Sequence, residues 1–210
     1  DAFGNLTRVA LPDGRVVTYD LDANGRRVGK RVNGAKVAGY LWADDLRIVA
    51  ELDGAGVVKT RFVYPDGAGA EDAPVAQLLR RLGLGSPTGY AKTTTPAYVV
   101  RGTQVLRVVA DHLGSPRLLV DSATGETVGR RDYDEWGRVT EDTLSAWLPQ
   151  GFAGGLFDSD TGLVRFGARD YDAETGRWLS LDPVLFEGGQ ANLYEYAGSH
   201  PVWKRDSDGH

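Results

Sequence analysis

Short runs of β-branched and aromatic residues, broken every few positions by glycine, asparagine or aspartate, set the pattern of this chain. Arg15-Val16-Val17-Thr18-Tyr19, Val57-Val58-Lys59-Thr60-Arg61-Phe62-Val63-Tyr64 and Val105-Leu106-Arg107-Val108-Val109 are the clearest of them. Such residues pack well on a pleated surface, so these runs predict strands. Between them stand Pro12-Asp13-Gly14, Ala23-Asn24-Gly25, Asn33-Gly34, Asp53-Gly54, Pro65-Asp66-Gly67 and Thr124-Gly125. Asn-Gly and Asp-Gly supply the positive φ angles of two-residue hairpin turns, so these sites predict hairpins. Helical periodicity is scarce: Val75, Leu78, Leu79 and Leu82 share one face of Ala73 to Leu82, which predicts a short helix or insertion there. The fold class expected is all-β.

The strands recur with a loose period. Gly4-Asn5-Leu6 returns as Gly25-Arg26-Arg27 and Tyr19 as Tyr40, each shifted by 21 positions. A second theme is Tyr-Asp followed by Gly-Arg. It occurs as Tyr19-Asp20 with Gly25-Arg26, Tyr133-Asp134 with Gly137-Arg138, and Tyr171-Asp172 with Gly176-Arg177. This reads as a strand ending in tyrosine, a turn helped by aspartate, and glycine in a left-handed position. The arginine then opens the next strand, its stem covering apolar surface.

Composition narrows the class. Glycine occurs 28 times without a three-residue period, which excludes collagen and favours turns. Cysteine is absent, so disulfides and thiolate metal sites are excluded. A net charge of -5 with both signs interleaved argues against nucleic acid as a partner. No run reaches the roughly eighteen apolar residues of a membrane span, and no signal peptide opens the chain. The absence of methionine suggests that Asp1 is an internal position of a longer polypeptide.

The ordered motifs of the second half are specific. Asp111-His112-Leu113-Gly114-Ser115-Pro116-Arg117 is similar to the DHLGTPR segment that opens the Rhs repeat-associated core domain, and Tyr133-Asp134-Glu135-Trp136-Gly137 to its YDAWG continuation. Gly151 to Gly155, Asp160 to Leu163, Ala168 to Asp172, Gly176 to Ser180, Asp182-Pro183, Gly188-Gly189, Asn192 to Tyr196 and His200-Pro201 follow in the family's order. The Tyr-Asp/Gly-Arg units resemble YD repeats, so the chain resembles the Rhs/YD-repeat family, including teneurin-like shells and the shells of Tc-toxin C components. The resemblance implies YD-repeat hairpins over residues 1–110, with an insertion at 65–98, and a core domain over 111–210 that ends in a self-cleavage motif. It also implies a β-hairpin spiral forming the C-terminal end of a hollow β-shell, with the core domain as a plug. Since 210 residues cannot enclose a folded cargo, N-terminal repeats of the same protein, or a neighbouring chain, are expected to complete the wall.

The same resemblance implies chemistry. In the family the core domain ends in a DPxGL motif, the chain is cut just after it, and the released portion is commonly a toxin held in the shell. Asp206-Ser207-Asp208-Gly209-His210 corresponds to that motif, with Ser207 in place of proline and His210 in place of leucine. The resemblance places an aspartyl-protease-like pair at Asp182 and Asp206, with Gly209 and His210 as the cleavage site and the cut after His210. Two close carboxylates share a proton, so that one takes a proton from water and the other donates to the scissile carbonyl. Pro183 would fix the backbone after Asp182, Gly209 would allow close approach, and Arg169 would position or neutralise an aspartate. Asp170 and Asp172 read as structural turn residues. A tethered substrate makes one turnover feasible for a modest pair.

Other chemistry is not indicated. His112, His200 and His210 lack metal-ligand spacing, so no metal is expected, and no cofactor fingerprint or nucleophile elbow is present. The five tryptophans and nine tyrosines read as wall packing rather than a carbohydrate platform. Two functions are set against each other. One, implied by the resemblance, is a shell segment that encapsulates and severs a toxin cargo, secreted or delivered by a bacterial secretion system whose proteins would be further partners. The other is a non-enzymatic adhesion module of a cell-surface protein.

Overall fold

A computed structural model of the chain describes residues 1, 4–64, 93–182 and 192–209. The helix expected at Ala73–Leu82 and the Pro65-Asp66-Gly67 turn lie outside the described residues. The chain is all-β. Among the described residues, eleven strands form one antiparallel sheet in sequence order. They are β1 (Arg8–Ala10), β2 (Val16–Leu21), β3 (Arg27–Val32), β4 (Ala35–Trp42), β5 (Ile48–Leu52), β6 (Val58–Val63), β7 (Tyr98–Arg101), β8 (Gln104–Ala110), β9 (Pro116–Asp121), β10 (Thr127–Tyr133) and β11 (Val139–Asp142). The sheet passes through residue 110 without a break. A second antiparallel sheet follows, with β12 (Leu156–Phe157), β13 (Leu163–Phe166), β14 (Arg169–Asp172) and β15 (Arg177–Trp178). Most neighbouring pairs of the large sheet carry a register shift, as between Asp20 and Leu21 or Val109 and Ala110. Bulges of this kind bend a sheet and increase its twist.

The turns explain the repeat. At Asp22 the side chain accepts the amides of Asn24 (3.0 Å) and Arg26 (2.9 Å), and Arg26 Nε donates to its other oxygen at 2.8 Å. Asp134 is built the same way, with Trp136 (3.0 Å), Arg138 (2.9 Å) and Arg138 Nε (3.0 Å). Gly25 and Gly137 take φ of 74° and 87°, which only glycine adopts without strain. The carboxylate therefore replaces several backbone bonds that a five-residue loop would otherwise leave open.

Two expectations need correcting here. In the first unit Asp22, not Asp20, makes the turn; Asp20 instead pairs with Arg31 across the β2–β3 hairpin. Among the described Asn-Gly and Asp-Gly sites, Asn33-Gly34 alone has both residues at positive φ in a two-residue loop. At Asp53 the loop is longer, and the left-handed residue is Gly56 rather than Gly54.

Two cores result. Tyr40, Ile48, Phe62, Tyr64, Val99, Leu106 and Leu119 line one face of the large sheet, where Leu144, Leu148 and Leu156 cover them. The second core gathers Phe152, Phe166, Tyr171, Trp178 and Tyr196, with ring centroids 4.3–6.3 Å apart. Packing between strands is thus where these aromatics go.

A seam of buried charge joins the sheets. Arg27 and Arg165 both donate to Asp170, at 2.8 and 2.9 Å, with all three side chains 4% exposed or less. Beside them Lys30 Nζ meets Asp158 (2.5 Å) and Asp160 (2.6 Å), and the Tyr19 hydroxyl donates to Asp158 at 2.7 Å. Asp170 is therefore no turn residue: it sits within β14 and faces the large sheet. Asp172 does shape a turn, accepting the Glu174 amide and the Thr175 hydroxyl.

Candidate active site at the terminal segment

Strand β14 sorts its side chains by alternation. Asp170 points to the charged seam, and its neighbours Arg169 and Tyr171 point to the aromatic core. A two-residue turn, Gly167-Ala168, connects β14 back to β13. Residues 208–209 lie against that turn, where the Ala168 amide donates to the Asp208 carbonyl at 2.9 Å. A Cβ at Gly167 would overlap the Asp208 carbonyl, and one at Gly209 (φ 75°) would overlap the Phe166 carbonyl. Both glycines are there because two backbones nearly touch.

Arg169 is the centre of the site. Its side chain is 3% exposed, and the guanidinium lies over the Trp178 ring at 4.2 Å and reaches four oxygen atoms. Nη2 meets Asp182 Oδ2 at 2.8 Å and Asp206 Oδ2 at 3.3 Å. Nε donates to the Gly209 carbonyl at 2.7 Å, and Nη1 to the Leu193 carbonyl at 3.3 Å. Asp206 closes the loop by accepting the Gly209 amide on Oδ1 at 2.8 Å. The planar fork of arginine suits such a cluster, where a lysine would offer one point of attachment. Burial pulls the Arg169 guanidinium below its ordinary value, and the two aspartates oppose that shift.

The structure thus brings together Asp182, Asp206, Arg169 and Gly209. Because one nitrogen contacts both carboxylates, their two oxygens are no farther apart than the sum of those two contacts. Pro183, Gly188-Gly189 and His210 lie outside the described residues. Chemically, one guanidinium offsets one of two carboxylate charges.

Sequence reasoning did not foresee the Trp178 ring, the Leu193 carbonyl or the Gly167-Ala168 turn as parts of the site. A signal for the turn existed: a glycine between the apolar β13 run and Arg169 marks close approach of another backbone. Nothing comparable marks a backbone carbonyl such as that of Leu193.

Comparison with known proteins places the whole chain. The family described as Teneurin YD-shell matches residues 96–202, and RHS Repeat matches residues 1–36. The chain is 31% identical over 219 aligned residues to the tRNA3(Ser)-specific nuclease WapA of Bacillus spizizenii, covering 100% of this chain and 8% of that protein. Identity to the Double-stranded DNA deaminase toxin A of Burkholderia cenocepacia is 29% over 202 residues, covering 88% of this chain and 13% of the relative. The chain therefore spans only a small fraction of either relative's length. Among solved structures, the crystal structure of TcdB2-TccC3-TEV superposes with a TM-score of 0.65 at 19% identity, covering 100% of this chain and 10% of that one. That likeness establishes the fold.

Proposed function

Since the chain belongs to the RHS/YD-repeat family and carries a teneurin-type YD-shell segment, we propose that it closes the shell of a polymorphic toxin and severs the polypeptide once, after His210. The cargo is the portion downstream, held in the shell that the N-terminal repeats of the same protein complete. Delivery is from a bacterial cell by a secretion system. The names of two relatives, a tRNA nuclease and a DNA deaminase toxin, support a toxic cargo.

One observation carries the reading: Asp182, Asp206 and the Gly209 carbonyl converge on Arg169. In the reaction, the ionised member of the pair takes a proton from water as the oxygen attacks the carbonyl carbon of His210. The protonated member hydrogen-bonds the carbonyl oxygen and then protonates the leaving amine. Arg169 holds the segment through the neighbouring carbonyl, so the substrate arrives pre-oriented and the entropic cost of a bimolecular encounter is avoided.

The test is a full-length polypeptide carrying residues beyond His210, in wild-type, Asp182→Asn and Asp206→Asn forms. Wild type is expected to give two bands on a denaturing gel, and terminal mass spectrometry a fragment ending at His210. Either variant is expected to remain one band. Identical patterns for all three would leave the chain as shell alone, with no proteolytic role.

A further inference from the structure

Asp111-His112-Leu113-Gly114-Ser115, the first of the ordered motifs of the second half, makes none of the contacts to Arg169, Asp182 or Asp206 described above. It forms the turn between β8 and β9 and is internally complete. Asp111 accepts the Leu113 and Ser115 amides at 3.0 and 2.9 Å, and its carbonyl takes the Gly114 amide at 3.0 Å. Outside itself the turn takes the Thr95 hydroxyl on the Gly114 carbonyl and the Ala153 amide on Ser115 Oγ at 3.0 Å, and it also reaches the terminal segment. His112 Nε2 donates to the Val202 carbonyl at 2.8 Å, and the His112 and Trp203 rings lie 6.3 Å apart. Arg205 Nη1 donates to the Leu113 carbonyl at 2.6 Å. The fit is close: a Cβ at Gly114 (φ 92°) would sit 2.9 Å from Arg205 Nη1.

The contacts fall immediately before the site. Residues 200–204 make one helical turn, with the His200 carbonyl accepting the Trp203 and Lys204 amides, and the next residue after Arg205 is Asp206. Beyond it, the Asp208 carbonyl meets the Ala168 amide. A slip of one residue would set Arg205 or Ser207 opposite Arg169. The first is repulsive, and the second leaves the buried Arg169 with one of its two carboxylates, Asp182.

We propose that the Asp111–Ser115 turn is a clamp that fixes the register of the terminal segment, with His112 and Arg205 as positioning residues that seat Asp206 on Arg169. The clamp itself stands on these contacts; its effect on cutting rests on the self-cleavage reading.

The test compares His112→Ala, Arg205→Ala, the double variant and Arg205→Lys in the full-length polypeptide. Hydrogen exchange over residues 206–209 is read by mass spectrometry whether or not the chain is cut, and exchange in β9 and β10 reports an intact wall. Loss of the charged bond at Arg205 is expected to speed exchange of the Gly209 amide about tenfold, more in the double variant, with cutting slowed to match. Arg205→Lys still donates to Leu113 and is expected to restore most of both. His112→Ala gives an independent reading should Arg205→Ala fail to fold. Unchanged exchange in the double variant overturns the clamp. Faster exchange with undiminished cutting overturns the positioning role. Faster exchange in a wild-type background that never cuts removes the self-cleavage reading and leaves the clamp standing.

Discussion

Arg27 Nη2 donates to Asp170 Oδ1 at 2.8 Å, joining residues 143 positions apart whose side chains are each 2% exposed. Arg165 completes the triad on the other carboxylate oxygen. Two cations rest on one anion, so removing the anion leaves both uncompensated in a dry seam. Asp170→Asn is expected to destabilise the chain by about 3–5 kcal/mol. The midpoint of urea unfolding measures this, and a shift inside the error of the wild-type value would show the seam to be solvated.

Arg169 allows a sharper test of the site than the aspartates do. A lysine there keeps the charge and can meet one carboxylate, but it cannot also hold Asp206 and the Gly209 carbonyl. Arg169→Lys is expected to slow self-cleavage by about 10²-fold, the usual result of losing geometry rather than charge. A time course of band conversion reads it. A wild-type rate would mean that alignment by the fork is dispensable.

Gly137 and Gly125 share a left-handed φ, 87° and 77°, but not their surroundings. A Cβ at Gly137 would overlap the Phe152 ring, whereas nothing lies within 4 Å of one at Gly125. Gly125→Ala is expected to cost about 1–2 kcal/mol, from backbone strain alone. Gly137→Ala is expected to cost about 3 kcal/mol or more, because ring displacement adds to it. Thermal midpoints of the two variants, measured side by side, should separate clearly.

Acid should loosen the turns. Burial alone would raise the carboxyls of Asp22, Asp44, Asp134 and Asp142. Bonds from Arg26, Arg47, Arg138 and Arg131, with the turn amides, outweigh it and hold all four below the ordinary aspartate value of 3.8. A group depressed in the folded state stabilises it fully above the unfolded value, and that contribution is lost as pH falls through the folded one. The thermal midpoint is therefore expected to fall steeply below about pH 4. In Asp134→Asn the slope should be shallower, from a lower starting point at neutral pH. An equal slope in the variant would exclude Asp134 from the acid response.

Much of the wall was legible in the chain, for reasons that residues make plain. Asn33-Gly34 reads as a two-residue hairpin because few other dipeptides accept positive φ twice. The choice of Asp22 over Asp20 had a signal in spacing, since Asp22 and Asp134 each stand three positions before the glycine of Gly-Arg, but the Tyr-Asp pairing points to Asp20 instead. Arg27, Lys30 and Arg165 would be read as surface from sequence, as charged strand residues usually are. The partners of Arg27 and Lys30, Asp170 and Asp158, lie far along the chain, and no local pattern links them, whereas Arg165 and Asp170 face each other across the β13–β14 hairpin. Asp182 and Asp206 were reachable through motif resemblance, whereas the shared nitrogen of Arg169 is a fact of three dimensions.

From β1 to β11, neighbours in sequence are neighbours in the sheet. A ribosome delivers strands in the order the wall needs them, and each hairpin can close on the one before without waiting for a distant partner. Residues 206–209 emerge after all of them. Any reaction that depends on Asp206 is therefore scheduled by translation, and it begins only after the strands of the large sheet have left the ribosome.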